Sequence, residues 1–214
     1  MLFIFDWDGT LIDSKAKITH SMHLATADMD WELLTDSAVH NIIGLGLPEA
    51  LSLLFPTRTD VERGKLRERY AEHFIRLDQE RASEFFPQVT ETLEVLRNKG
   101  HNLAIATGKA RKGLDRILRD LKLHDYFDAT RCADETASKP HPLMLEELLA
   151  HFDTSAEKSV MIGDTEYDME MARAINMPRI AVSYGAHHID RLYQYQPELC
   201  LDQFDQLLDW HKLK

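Results

Sequence analysis

Asp6 and Asp8 stand two residues apart, directly after the short apolar run LFIF at 2–5. In an extended segment, residues two apart point to the same side. Two carboxylates so placed repel each other unless a cation or a shared proton intervenes. One reading is a nucleophile and a general acid/base with Mg²⁺ between them. A helix cap or an Asp-Gly turn uses the same letters, with Gly9 allowing the sharp turn. Asp164 and Asp168, in GDTEYD after the apolar VMI, form a second pair. They either cap a helix and share one of its faces, or add the hard oxygen ligands that Mg²⁺ prefers. Thr107 and Gly108 end a third apolar run and offer a hydroxyl and backbone N–H groups suited to a phosphate oxygen. Lys139 lies in SKPHP, stiffened by Pro140 and Pro142. Each piece alone also reads as a cap or a solvated side chain. Together they are the parts of metal-assisted phosphoryl transfer, provided the fold brings them to one place.

The pattern of elements predicts that it does. LFIF reads as a strand buried on both faces, as in the centre of a parallel sheet. After 85–87 the texture alternates. Helices are predicted at 89–99 (closed by Gly100), 110–121, 142–152 and 166–176. Strands are predicted at 101–107, 127–132, 159–165 and 179–185. From 14 to 84 helical spacing prevails, with Ile18, Met22, Leu24, Ala25 and Met29 near one face and a charged amphipathic helix over 61–77. No strand stands out there, and Gly44, Gly46 and Pro48 mark a loop. The tail from Gln196, with Phe204, Leu207, Leu208 and Trp210, reads as a final amphipathic helix. The fold class is therefore α/β: a doubly wound, Rossmann-like parallel-sheet core over 1–14 and 85–214, with an all-helical cap domain inserted at 15–84. In such sheets ligands bind at the carboxyl ends of the strands, where all the residues above fall.

The whole chain fits this reading. A length of 214 residues, 44% of them hydrophobic, suffices for a core plus an insertion. A formal net charge of -11 argues against nucleic acid as a partner and requires concentrated positive charge wherever a small anion binds. Cys132 and Cys200 have no metal-ligand spacing and read as reduced thiols. The N-terminal apolar run is too short for a signal sequence, and no stretch approaches a membrane span, so a cytoplasmic protein is expected. Monomer is the default. The histidines are scattered, and His187-His188 read as a surface pair. Arg111 and Lys112 are either solvated or supply charge that steers an anion inward.

At this point the chain resembles the haloacid dehalogenase-like hydrolase superfamily over essentially its full length. DWDGTLIDS (6–14), ATGK (106–109), Lys139 with its proline, and GDTEYD (163–168) resemble the four family motifs in order. The 15–84 region is similar to the family's helical cap, and its IGLGLPEAL (43–51) to the caps of phosphoglycolate phosphatases. The resemblance implies that Asp6 attacks phosphorus to form an aspartyl-phosphate. Asp8 protonates the leaving oxygen and then deprotonates water. Thr107 and Lys139, with Gly108 and the backbone N–H of Trp7, hold the phosphoryl oxygens. It further implies Mg²⁺ on Asp6, Asp164 and the Asp8 backbone carbonyl, with Asp168 orienting Lys139 or a water of the metal.

Asp8 argues against the dehalogenases, which have no leaving alcohol to protonate, and against the transport ATPases, which carry Thr there. A phosphosugar mutase of the β-phosphoglucomutase type is the first alternative, although no Arg lies between Gly44 and Phe55. A catalytically silent binding module is the second. The Trp7 side chain is expected to narrow the pocket, and small phosphorylated metabolites are the expected substrates.

Overall fold

The structure, a computed structural model, describes residues 1–213. Its central layer is a six-stranded, all-parallel sheet of β1 (Leu2–Phe5), β4 (Asn102–Thr107), β5 (Ala129–Cys132), β6 (Ser159–Gly163), β7 (Arg179–Val182) and β8 (Leu199–Leu201). Their spatial order is β5-β4-β1-β6-β7-β8. β1 is central because its four residues are apolar and wholly buried, so helices can cover both faces. From β1 the chain builds outward through β4 to β5, then returns to the other side of β1 as β6, β7 and β8. Phe5 pairs with Ile105 of β4 on one flank and Ile162 of β6 on the other. The end of β1 is thus a topological switch point, where neighbouring connections diverge and leave a crevice.

Helices α5 (Val89–Asn98), α6 (Arg111–Asp120), α7 (Leu143–His151), α8 (Glu166–Ala174) and α9 (Ile189–Tyr193) link these strands. One apolar layer joins Phe3, Phe5, Leu103, Ile105, Val160 and Ile162; the other joins Leu2, Ile4, Met144, Leu148, Met161 and Met171. Each buried side chain of this size contributes on the order of 1.5–3 kcal/mol of transfer free energy. Alternation along the strands therefore sets the register strongly.

Helices α1 (Lys15–Asp28), α2 (Asp36–His40), α3 (Leu47–Leu54) and α4 (Asp60–Glu80) lie between β1 and the rest of the sheet. α4 begins with a capping box in which Thr59 and Glu62 satisfy each other's backbone N–H groups. It packs along α1.

Three features depart from the expectation. Two-residue strands, β2 (Ile12–Asp13) and β3 (Glu84–Phe85), pair antiparallel where the chain leaves and re-enters the sheet region. They are too short to carry a period. The 179–185 strand stops at Val182. The tail is not an α-helix: it forms β8 and then 3₁₀ turns over Phe204–Asp209 and His211–Leu213. Its apolar residues still reach the core. Trp210 meets the Phe3 ring edge-on at 6.1 Å, and Phe204 lies 5.9 Å from Phe5.

Candidate active site

Four chain segments deliver the predicted residues to the switch point. Asp6 and Asp8 follow β1, and Thr107 and Gly108 end β4. Lys139 follows β5, while Asp164 and Asp168 lie at the turn from β6 into α8. Asp6, Asp8, Thr107, Lys139, Asp164 and Asp168 are all buried. Asp6 is fixed by its own backbone, which donates to Ile162 O at 2.9 Å.

Lys139 is the electrostatic centre. Its Nζ lies 2.7 Å from Asp6 Oδ1 and 2.6 Å from Asp168 Oδ1. The Asp6 contact falls outside hydrogen-bond geometry, so neither oxygen of Asp6 accepts a hydrogen bond. The other oxygen of Asp168 accepts from the N–H and hydroxyl of Thr165, the N-cap of α8. Asp164 is not the cap. It accepts from Thr10 Oγ1 at 2.8 Å and from Ala186 N–H at 2.7 Å. Gly9 makes this possible: its φ is +83°, and a Cβ there would lie 2.3 Å from Asp164 Oδ2.

Burial, then repulsion from Asp168 and Asp164, holds the Asp6 carboxyl well above the usual carboxylate range, with Lys139 pulling against it. Burial and Asp168 likewise push Asp164 up to about 7. Burial opposes the charge on Lys139, yet Asp168 and Asp6 more than offset this and keep it protonated.

Asp6, Asp164 and Asp168 each offer an oxygen, all within 4.8 Å of one another. When all are ionised, the carboxylates of Asp6, Asp8, Asp164 and Asp168 exceed the ammonium groups of Lys139 and Lys109 by two negative charges, which is the charge of one divalent cation. Hard oxygen donors, that charge and two Asp6 oxygens that accept no hydrogen bond together fit a divalent cation.

A carboxyl whose folded pKa lies above its unfolded value of about 3.9 stabilises the fold below that pH and loses the contribution as pH rises. For Asp164 the loss runs from roughly pH 4 to its folded value of about 7. Metal-free protein should therefore show a contribution to Tm that declines across this window. The gain in Tm on adding Mg²⁺ should grow across it, since cation and protons compete for the same oxygens. Thermal melts with Mg²⁺ and with chelator check both slopes; a pH-independent gain would contradict them.

Asp8 faces away from this cluster. Its Oδ1 accepts from Ser14 Oγ at 2.6 Å, and its Oδ2 lies 2.9 Å from Lys109 Nζ. Thr107 Oγ1 accepts from Lys109 N–H at 3.2 Å; it is not the cap of α6, which is Ala110. Gly108 is roofed by the 41–46 loop: a Cβ there would come within 2.4 Å of Leu45 O and 2.5 Å of Gly44 O. The same loop is held at Asn41 O, which lies 2.8 Å from the donating Tyr167 hydroxyl and 3.3 Å from His187 Nε2.

Some expectations need correction. The Trp7 indole does not narrow the pocket: it is fully buried and packs edge-on against Phe85 and Phe127. His187 is no surface residue at 2% exposed. Its Nδ1 accepts from Glu166 N–H, and burial lowers its pKa. His188 alone is exposed, capping α9. Arg111 is tied to Glu135, Asp115 and Thr130, so its charge is spent locally. Lys109, Ser14 and Thr10 were missed as site residues. Lys109 carried a signal, being a cation directly after Thr107-Gly108. The hydroxyls carried none beyond their place in a turn.

Comparison with known proteins agrees with this geometry. A family profile described as "Haloacid dehalogenase-like hydrolase" matches residues 3–182. The chain is 31% identical over 210 residues to "Probable phosphatase IndB" of Dickeya dadantii, covering 97% of this chain and 91% of that one. It is 30% identical over 218 residues to a phosphoglycolate phosphatase of Aliivibrio fischeri, covering 97% and 94%. Among solved structures, a hydrolase from Pseudomonas syringae superposes with a TM-score of 0.88 at 24% identity, over 99% of this chain and 97% of the other. At that identity the likeness establishes the fold.

Proposed function

The chain belongs to the haloacid dehalogenase-like hydrolase family and is a phosphatase, and from that premise we propose that it hydrolyses small phosphomonoesters through an aspartyl-phosphate on Asp6. One observation carries the proposal. Asp6 is a fully buried carboxylate at the sheet's switch point, 2.7 Å from an equally buried lysine, with both oxygens free of hydrogen bonds. A buried carboxylate that accepts no hydrogen bond is costly to keep, and a reacting or cation-binding role accounts for it.

In this reading an Asp6 oxygen attacks phosphorus and the bond to the leaving oxygen breaks. Asp8, held by Ser14, donates a proton to that oxygen. It then takes a proton from the water that attacks phosphorus, breaks the Asp6–phosphoryl bond and releases inorganic phosphate. Lys139 neutralises Asp6 against the incoming anion. Together with Thr107 and the N–H groups of Trp7 and Gly108, it receives the phosphoryl oxygens. Asp6, Asp164 and the Asp8 carbonyl, supported by Asp168, would hold Mg²⁺. Bound there, it would supply Lewis-acid charge to the phosphoryl group. Residues 1–14 and 85–214 serve as the core and 15–84 as a cap that excludes water when its 41–46 loop lies over Gly108. The protein acts in the cytoplasm, as a monomer, on small phosphorylated metabolites.

Inorganic phosphate release from a panel of small esters, 2-phosphoglycolate and sugar phosphates included, tests the reaction. Release with Mg²⁺ that chelator abolishes supports it. No release, but isomerisation of a sugar phosphate once a bisphosphate primer is supplied, favours the mutase, and neither reaction favours the silent module. Asp8→Ala is expected to lower kcat by ~10²–10⁴, the usual contribution of a positioned acid/base. A kcat within a few-fold of wild type would remove Asp8 from that role. An ester with an activated leaving group should lose less, since it needs no proton.

A further inference from the structure

We propose that Lys109 selects phosphoesters whose alcohol carries a carboxylate, by transferring its ammonium from Asp8 to that carboxylate as the substrate enters. This rests on the phosphatase reading of the site, with Asp8 on the leaving-group side.

Both oxygens of Asp8 are occupied: Ser14 Oγ donates to Oδ1, and Lys109 Nζ sits 2.9 Å from Oδ2. For Asp8 to meet a leaving oxygen, one partner must withdraw. Ser14 is buried, on a short side chain beside the start of α1. Lys109 has a long flexible stem, and its side chain is 13% exposed. It therefore moves at the lower cost.

Lys109 also stands where a leaving group must lie. Its ammonium is 4.6 Å from the centre of the Phe74 ring of α4, so core and helical segment enclose it together. Tyr70, partly buried, lies tilted against Phe74 with ring centres 6.0 Å apart, and burial, then the nearby Asp8 carboxylate, opposes its ionisation. Beside Asp8, then, lie Lys109 and the rings of Phe74 and Tyr70, with the Lys17 ammonium also 5.9 Å from the centre of the Phe74 ring. The neighbouring cations are committed elsewhere. Lys15 donates to Gly185 O, Lys17 to Asp78, Arg81 O and Ser83, and Lys139 to Asp168 while also lying 2.7 Å from Asp6. Arg111 is paired with Glu135. Of these cations, Lys109 is the one paired with Asp8, the carboxylate that must meet the leaving oxygen.

A carboxylate on the alcohol replaces Asp8 as the counter-ion, so the ammonium is never stranded and Asp8 Oδ2 is freed. An uncharged alcohol offers no such exchange, and Lys109 then competes with the leaving oxygen for Asp8.

The test compares 2-phosphoglycolate with ethyl phosphate, a similarly short ester without a carboxylate, on full-length wild type, Lys109→Met and Lys109→Arg. Wild type should prefer 2-phosphoglycolate. Lys109→Met, which keeps the stem against Phe74, should collapse the ratio of the two kcat/KM values by about 10- to 100-fold, the scale of a hydrogen bond to a charged group. Lys109→Arg should restore much of it. Equal losses on both esters would overturn the proposal, because Lys109 would then serve Asp8 or the phosphoryl group. An unchanged ratio would also overturn it. Hydrolysis of neither ester by wild type, nor of any other in the panel, would instead overturn the phosphatase reading on which it rests.

Discussion

Asp6→Asn will leave less than about one part in 10⁴ of wild-type turnover, because an amide oxygen is a poor nucleophile and loss of a covalent-catalysis residue typically costs at least this much. The same substitution will raise the Tm of metal-free protein. Asp6 is buried, its oxygens accept no hydrogen bond, and burial together with Asp168 and Asp164 disfavours its charge. Removing that charge relieves the cost, and Lys139 keeps Asp168 as its partner at 2.6 Å. Activity and stability thus move in opposite directions, as expected where a fold bears a cost for chemistry. The stabilising effect of Mg²⁺ should shrink at the same time, since one of three clustered oxygen donors is lost. Melting curves with and without Mg²⁺, beside phosphate release, read all three effects. A variant that is inactive and also strongly destabilised would mean that Asp6 is a structural member of the ion pair.

Lys139→Ala is the second large effect, and here activity and stability fall together. Lys139 is wholly buried and bridges Asp6 and Asp168. Removing one partner of a buried ion pair typically costs about 3–5 kcal/mol, because the remaining charges stay desolvated. Protonating the stranded carboxyls reduces that cost, so destabilisation should be smaller in acid and larger near neutral pH. Activity should drop by roughly 10²–10³-fold at a temperature where the variant is folded, the effect of removing one preorganised electrostatic partner from a dry site. Arginine is no substitute in a space fitted to an ammonium at 2.6–2.7 Å from two carboxylates. Thermal melts at acidic and neutral pH, with kinetics on folded protein, check this. A Tm unchanged at both would contradict the central place given to Lys139.

How far the sequence was legible follows the same physics. β1, β4 and β6 were readable because sheet strands covered on both faces must be continuous apolar runs. The site residues were readable because such a sheet presents its strand ends to ligands, which gave Asp6, Thr107 and Asp164 a common address. β2, β3 and β8 were not, since two or three residues carry no period. The tail's apolar spacing suited a helix, but packing Trp210 on Phe3 and Phe204 on Phe5 is met equally by 3₁₀ turns. Trp7 and His187 were misplaced for one reason: their surroundings come from distant segments. Phe85 and Phe127 enclose the indole, and Asn41 of the helical segment covers the imidazole. Lys109 stood in view beside Thr107, yet only Asp8 at 2.9 Å and the Phe74 ring give it a purpose.

The covalent step is the centre of the account, and it can be caught directly. Wild type turning over 2-phosphoglycolate with Mg²⁺, quenched in acid and digested, should yield a phosphoryl group on the peptide carrying Asp6, labile to hydroxylamine as an acyl phosphate is. The label should be absent in Asp6→Asn and should accumulate if Asp8→Ala slows hydrolysis of the intermediate. Steady release of phosphate with no label on Asp6, or with label on another residue, would contradict the account.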